Sequence, residues 1–135
     1  MVDRYVDALK AAGAIGSEAV ERAFRTVERH RLLETFYQRD ADGWKTVEHD
    51  PGHPRRDHLA LVYADTALAT RHIGGLPASS TSQASLVARM LELLDLGEGM
   101  TILEVGAARK ASGRTASAAA AGAMGVSSAC PRSQI

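Results

Sequence analysis

Cysteine is almost absent from this chain: Cys130 is the sole one. That excludes an internal disulfide and a thiolate metal cage. Aromatic residues make up 4% of the chain, and none is interleaved with the basic pairs Arg55-Arg56 and Arg109-Lys110. No stacking platform for nucleic acid is marked. Net charge is lacking too, since 16 Lys and Arg balance 16 Asp and Glu. The chain as a whole therefore has no electrostatic pull toward nucleic acid or an anionic membrane. No apolar run approaches the roughly 20 residues that span a bilayer. Asp3, Arg4 and Asp7 occupy the first turns, where a signal peptide needs an apolar core. A cytoplasmic protein without membrane contact is the expectation.

The most informative lack is local. All 16 acidic residues lie between Asp3 and Glu104, whereas Arg109, Lys110, Arg114 and Arg132 come after it. The body carries net −4 and the tail net +4. A basic tail can act as an anion-binding arm; sequence under no selection gives the same appearance. Residues 107–135 hold ten Ala, five Ser, three Gly and three Arg, with no Leu, Phe, Tyr or Trp. Such a stretch cannot supply the strands and amphipathic helices of a nucleotide-binding sheet, and disorder is expected there.

What is present reads as one domain at most, 45% hydrophobic and 24% charged, which suits a globular chain. Residues 2–13 predict an amphipathic helix with Tyr5, Val6 and Leu9 on its buried face and Gly13 as its stop. Ser17 caps a second helix, with Val20, Ala23, Phe24 and Val27 as its apolar stripe and its end near residues 29–31. Residues 38–58 are polar, with a turn at Asp42-Gly43 and a short strand at residues 44–47. Residues 59–70 are apolar enough for a buried strand or helix, and the pattern leaves both open. Gly74 and Gly75 open a loop over residues 76–82. A helix over residues 83–96 follows, with Ser82 as N-cap and Leu86, Met90, Leu93 and Leu94 facing inward. Residues 101–106 predict a short buried strand ending at Gly106. His49, His53 and His58, near Asp50 and Asp57, are spaced for a metal, but two prolines and a glycine interrupt them. A solvated loop is the preferred reading.

Several of these segments share an order with a known family. Ala23-Phe24-x-x-Val27-x-Arg29-His30-x-Leu32 resembles the AF-x-x-V-P-R-x-x-F stretch of protein-L-isoaspartate O-methyltransferases. Tyr63-Ala64-Asp65-Thr66-Ala67-Leu68 is similar to that family's A-Y-x-D-x-x-L segment, and Ser80-Thr81-Ser82-Gln83-Ala84 to its T-I-S-Q-P motif. Residues 101–106 resemble the strand that leads into its V-L-E-x-G-x-G-x-G-Y loop. The resemblance runs over about residues 14–106. Glu28 and Ala84 stand where the family has Pro, and the loop after Gly106 reads Ala107-Ala108-Arg109-Lys110 instead of alternating with Gly.

The resemblance implies a fold class: an α/β fragment of a three-layer, Rossmann-like methyltransferase with an N-terminal helical extension. Residues 1–100 would be the helical, substrate-side region and residues 101–106 the first strand and the start of the cofactor loop. Residues 107–135 would be an aberrant tail, a reading-frame artefact or a degenerate end. It also implies methyl transfer from S-adenosylmethionine to the α-carboxylate of L-isoaspartyl residues in proteins or peptides, the first step of their repair. Ser82 would be the catalytic position, Ser80 and Ser82 would meet the substrate, and Glu104 and Gly106 would flank the cofactor. Glycines in that loop permit positive φ and close backbone approach. Ala108 and Lys110 add side chains there, Lys110 beside a cationic sulfonium, so the chain as it stands is expected to be inactive and not to hold S-adenosylmethionine. Two alternatives accompany this reading: a non-catalytic peptide-binding remnant, and a peptide-modifying enzyme of the same family.

Overall fold

The computed structural model describes residues 1–103 and 127–129. Helix α1 (Val2–Ala11) buries Tyr5, Val6 and Leu9, the face its sequence period requires, and ends before Gly13 at φ +68°. Helix α2 (Glu18–Thr26) begins at Ser17, whose hydroxyl accepts from the Val20 amide. It ends earlier than residues 29–31. There the chain turns into a 3-10 turn (Arg29–Leu32) that buries Arg29 and His30. The expected solvated cations at a helix end are thus, in part, interior groups.

The middle of the chain is a four-stranded antiparallel sheet, in the order β2-β1-β3-β4, where the sequence predicted mostly loop. Strands β1 (Thr35–Asp40) and β2 (Gly43–Glu48) form a hairpin in which Phe36 pairs with Val47. The Asp42-Gly43 turn signal and the short strand at residues 44–47 are both correct, but the pairing extends over six residues of each strand. Strands β3 (Leu68–Ile73) and β4 (Leu76–Thr81) form a second hairpin. Gly74 and Gly75, at φ +57° and +78°, are the whole of its turn, so the loop expected over residues 76–82 is a strand. Polar strands escape a period-based reading because an antiparallel sheet can leave one face in water.

Helix α3 (Arg56–Val62) and strand β3 divide residues 59–70 between them. Val62 joins Leu33, Phe36 and Leu68 in the core beneath the sheet. A second core holds Tyr5, Val6, Leu9, Val20 and Ala23 against Ala84, Ala88 and Leu91 of helix α4 (Ala84–Leu93). The expectation for α4 is corrected here. Its small face, Ala84, Ala88 and Leu91, packs inward, and Leu86, Met90, Leu93 and Leu94 lie exposed, Leu93 at 85%. Small side chains are what let α4 approach α1 and α2 closely. Beyond it, β5 (Thr101–Leu103) pairs in parallel with β6 (Ser127–Ala129). Among the described residues no helix is long and apolar enough to cross a membrane.

One long-range tie holds α4 to the start of α2. The Glu92 carboxylate accepts from the Gly16 and Ser17 amides, both at 2.9 Å, and from the Ser17 hydroxyl at 3.1 Å. Burial alone raises its pKa, but those donors outweigh burial and hold the carboxyl below its ordinary range. A carboxylate with a depressed folded pKa stabilises the fold above its unfolded pKa, and that contribution is lost as pH falls through the folded value. Glu92→Ala is expected to cost about 2–3 kcal/mol, from charge-assisted bonds and donors left unmet. Urea melts check this at neutral pH and again in acid, where the gap between wild type and variant should shrink. An equal gap at both pH values would contradict it.

Candidate functional site

Three of the sequence segments singled out above converge at the turn from β4 into α4. Arg29 comes from the 3-10 turn, Asp65 from the loop after α3, and Thr81-Ser82-Gln83 form the turn itself. Arg29 is buried, and one of its terminal nitrogens donates to the Thr81 hydroxyl (3.1 Å), the Ser82 carbonyl (3.2 Å) and the Thr66 carbonyl (3.4 Å). Thr81 in turn accepts from the Leu68 amide at 3.3 Å, which joins the end of β4 to the start of β3.

Asp65 holds the other side. One oxygen accepts from the Ser85 amide at 2.8 Å and the other from the Gln83 side chain at 3.1 Å. Burial pushes the Asp65 pKa up, but those donors, and last the charge of Arg29, bring it below the ordinary aspartate value. This carboxylate therefore does the work expected of Ser82. The N-cap of α4 is Gln83, with no side-chain cap bond of its own, and the first-turn amide of Ser85 is met by Asp65 from a distant loop. The reading of Ser82 as helix cap is corrected, and its exposed side chain stands at the surface between the two anchors. Ser80 is exposed on β4, opposite Ala69 of β3. Glu104 and Gly106 lie outside the described residues, as do Ala108, Arg109, Lys110 and Cys130.

Beside this joint runs a groove of about 480 Å³, lined by Arg4, Tyr5, Ala8, Ala60, Tyr63 and Asp65 among others. Tyr5 and Tyr63 meet edge to face at 5.1 Å between ring centres. Burial pushes the Tyr63 phenol up to about 12, so it stays protonated at neutral pH. It shares a 2.9 Å hydrogen bond with Nδ1 of His30. His30 packs edge-on to His49, and His49 to His58, at 6.1 and 5.6 Å between ring centres. His49 is buried, so the solvated loop expected for the three spaced histidines holds for exposed His53 but not for His49. Among the described residues no group of three or more His, Cys, Asp or Glu could hold a metal ion. Periodicity gave Arg29 and His30 no interior role; a buried charge in a 3-10 turn leaves no mark in the hydrophobic pattern.

The arrangement can present Ser82 on the turn and Ser80 beside it on β4, which suits fixing a polar group by hydrogen bonds. Among the described residues no general base is hydrogen-bonded to the Ser82 hydroxyl, and positioning is the chemistry the arrangement offers. Comparison with known proteins bears on what is positioned. Residues 45–121 match the sequence profile of the family described as protein-L-isoaspartate(D-aspartate) O-methyltransferase. That match runs past Gly106 into the Ala-rich segment, further than the resemblance first drawn. A protein-L-isoaspartate O-methyltransferase of Pyrococcus horikoshii is 36% identical over 104 residues, covering 76% of this chain and 35% of that protein. A solved structure of a protein-L-isoaspartate O-methyltransferase superposes with a TM-score of 0.62 at 26% identity, covering 95% of this chain and 33% of the other. The chain therefore spans about a third of the length of these relatives.

Proposed function

We propose, because this chain belongs to the protein-L-isoaspartate O-methyltransferase family, that it forms the substrate-side part of such a fold and that Ser82 meets the carboxylate to be methylated. The α-carboxylate of an L-isoaspartyl residue, in a damaged cytoplasmic protein or a peptide, is the group it would hold. A carboxylate is already a nucleophile and needs no base, so the protein's share is orientation. The exposed Ser82, held between the buried Arg29 on one side and the surface carboxylate of Asp65 on the other, is the observation that carries this reading. Ser80, exposed two residues earlier on β4, extends the hydrogen-bonding edge.

The residues after β5 do not fit S-adenosylmethionine. Leu103, the last described residue of β5, is 65% exposed, where a donor site needs a covered strand at a sheet's switch point. The next positions, Glu104 and Gly106, are of the right type, but Ala108 and Lys110 put a methyl group and a cation where the donor needs bare backbone. We read the chain as it stands as inactive, and no step is drawn through the donor. A peptide-binding remnant is the second reading, favoured because the joint around Ser82 is complete while the bend is altered.

A chimera tests the first reading. It joins residues 1–103 to the part of the Pyrococcus horikoshii relative that follows the corresponding strand. It is expected to methylate an L-isoaspartyl peptide in preference to its aspartyl counterpart. Ser82→Ala in that chimera should lower turnover roughly 10–100-fold, the usual effect of mispositioned reactants. A chimera that turns over with equal rates before and after Ser82→Ala removes Ser82 from the account.

A further inference from the structure

The side chains that fix the β4–α4 joint, Arg29 and Asp65, come from distant parts of the chain, and Arg29 is the buried one. We propose that Arg29 is a positioning residue: its buried guanidinium locks the turn that presents Ser82 and thereby sets the affinity of this surface for an isoaspartyl carboxylate. The second half of that statement rests on the reading of Ser82 given above.

Arg29 is 8% exposed, and a charge withdrawn from water is costly unless its donors are met. An apolar residue at that place would fill the space without the cost, so core packing alone does not account for an arginine. One terminal nitrogen is aimed at the joint, while Nε is buried without a partner. Nη2 reaches three oxygens, of Thr66 before β3, of Thr81 at the end of β4 and of Ser82 just after it. A single nitrogen thus ties the entry of one strand to the exit of its neighbour. The Thr81 hydroxyl passes the tie on to the Leu68 amide. Asp65 clamps the chain just beyond by a separate route, through the Gln83 side chain and the Ser85 amide. Residue 82 is the link between the clamps. A guanidinium suits the task because its charge survives burial and its nitrogens sit in a fixed plane. Lysine carries the charge without that fork.

The test uses the purified chain, with amide hydrogen exchange as one readout and calorimetric titration of a short L-isoaspartyl peptide, against its aspartyl counterpart, as the other. In Arg29→Met the Leu68 and Ser85 amides should exchange roughly ten- to a hundredfold faster, as loss of a charged donor implies. The Leu9 and Ala23 amides, in the helical core, should stay within about twofold. Isoaspartyl affinity should fall in step with Leu68 and Ser85 exchange, and Arg29→Lys should recover part of both. Thr81→Val, which removes one acceptor and leaves the charge in place, should give the same local pattern more weakly. It keeps the test alive if Arg29→Met does not fold. Faster exchange spread evenly over all four amides, or none at Leu68 and Ser85, overturns the proposal. The local pattern in a wild-type chain with no preference for the isoaspartyl peptide sinks the functional reading and leaves Arg29 as the lock of the joint.

Discussion

Phe36→Ala is expected to remove about 3–5 kcal/mol, a large share of the stability of the fold. Phe36 is fully buried and is the largest side chain in the core under the sheet, where it meets Leu33, Val62 and Leu68 and pairs across strands with Val47. Truncating a buried Phe costs about 3–5 kcal/mol, the lost transfer energy plus the cavity. Total stabilities of small domains run about 5–15 kcal/mol. A core of four buried residues has few neighbours able to close such a gap, so the upper part of the cost range is expected here. Leu76→Ala is the control: the residue is exposed at the turn end of β4, and its loss should stay within about 0.5 kcal/mol. Urea melts followed by Trp44 fluorescence give both numbers, since Trp44 is half-buried on β2 and its indole donates to the Gly75 carbonyl at 2.7 Å across the sheet. A Phe36→Ala melt no weaker than that of Leu76→Ala would mean that the sheet has no such core.

Much of the helical part was legible because its pattern is redundant. Val6 and Leu9 fall on one face, Gly13 breaks the helix, and Ser17 is both the expected and the observed cap. The sheet was not legible because its outward residues are polar and its turns are short. Gly74-Gly75 looks the same in sequence whether it opens a loop or forms a two-residue hairpin turn, and only the partner strand decides. On α4 the rule that large apolar residues go inside chose the wrong face. Ala84 and Ala88 meet α1 and α2, while Leu86, Met90 and Leu93 lie on the surface. Size-weighted hydrophobicity cannot see that close helix approach favours alanine.

The site divides in the same way. Ser82 and Ser80 stood out by resemblance, and the structure puts both at the surface of the β4–α4 region. The side chains that hold the joint did not stand out. Asp65 was part of a similar motif, yet nothing in its sequence neighbours says that it caps a helix twenty residues on. Arg29 was visible as a motif letter, but its reach of more than fifty residues to Thr81 and Ser82 is a fact of the fold. Its burial is the kind of exception that composition rules make rare, since arginine is almost never buried without partners.

The account turns on the bend that follows β5. The family's donor site needs glycine there for positive φ and bare backbone, and this chain has Ala108 and Lys110 instead. A Cβ and a long cation at those positions are expected to remove binding outright rather than weaken it slightly, through lost close approach and repulsion of the sulfonium. S-adenosylhomocysteine, which lacks the sulfonium charge, separates the two effects: it still meets the Cβ but not the repulsion. Titrating it by calorimetry into the purified chain, with the Pyrococcus horikoshii relative as the positive control, is the most direct measurement. The prediction is saturable heat for the relative and none for this chain. Stoichiometric, saturable binding by this chain would contradict the account at its centre.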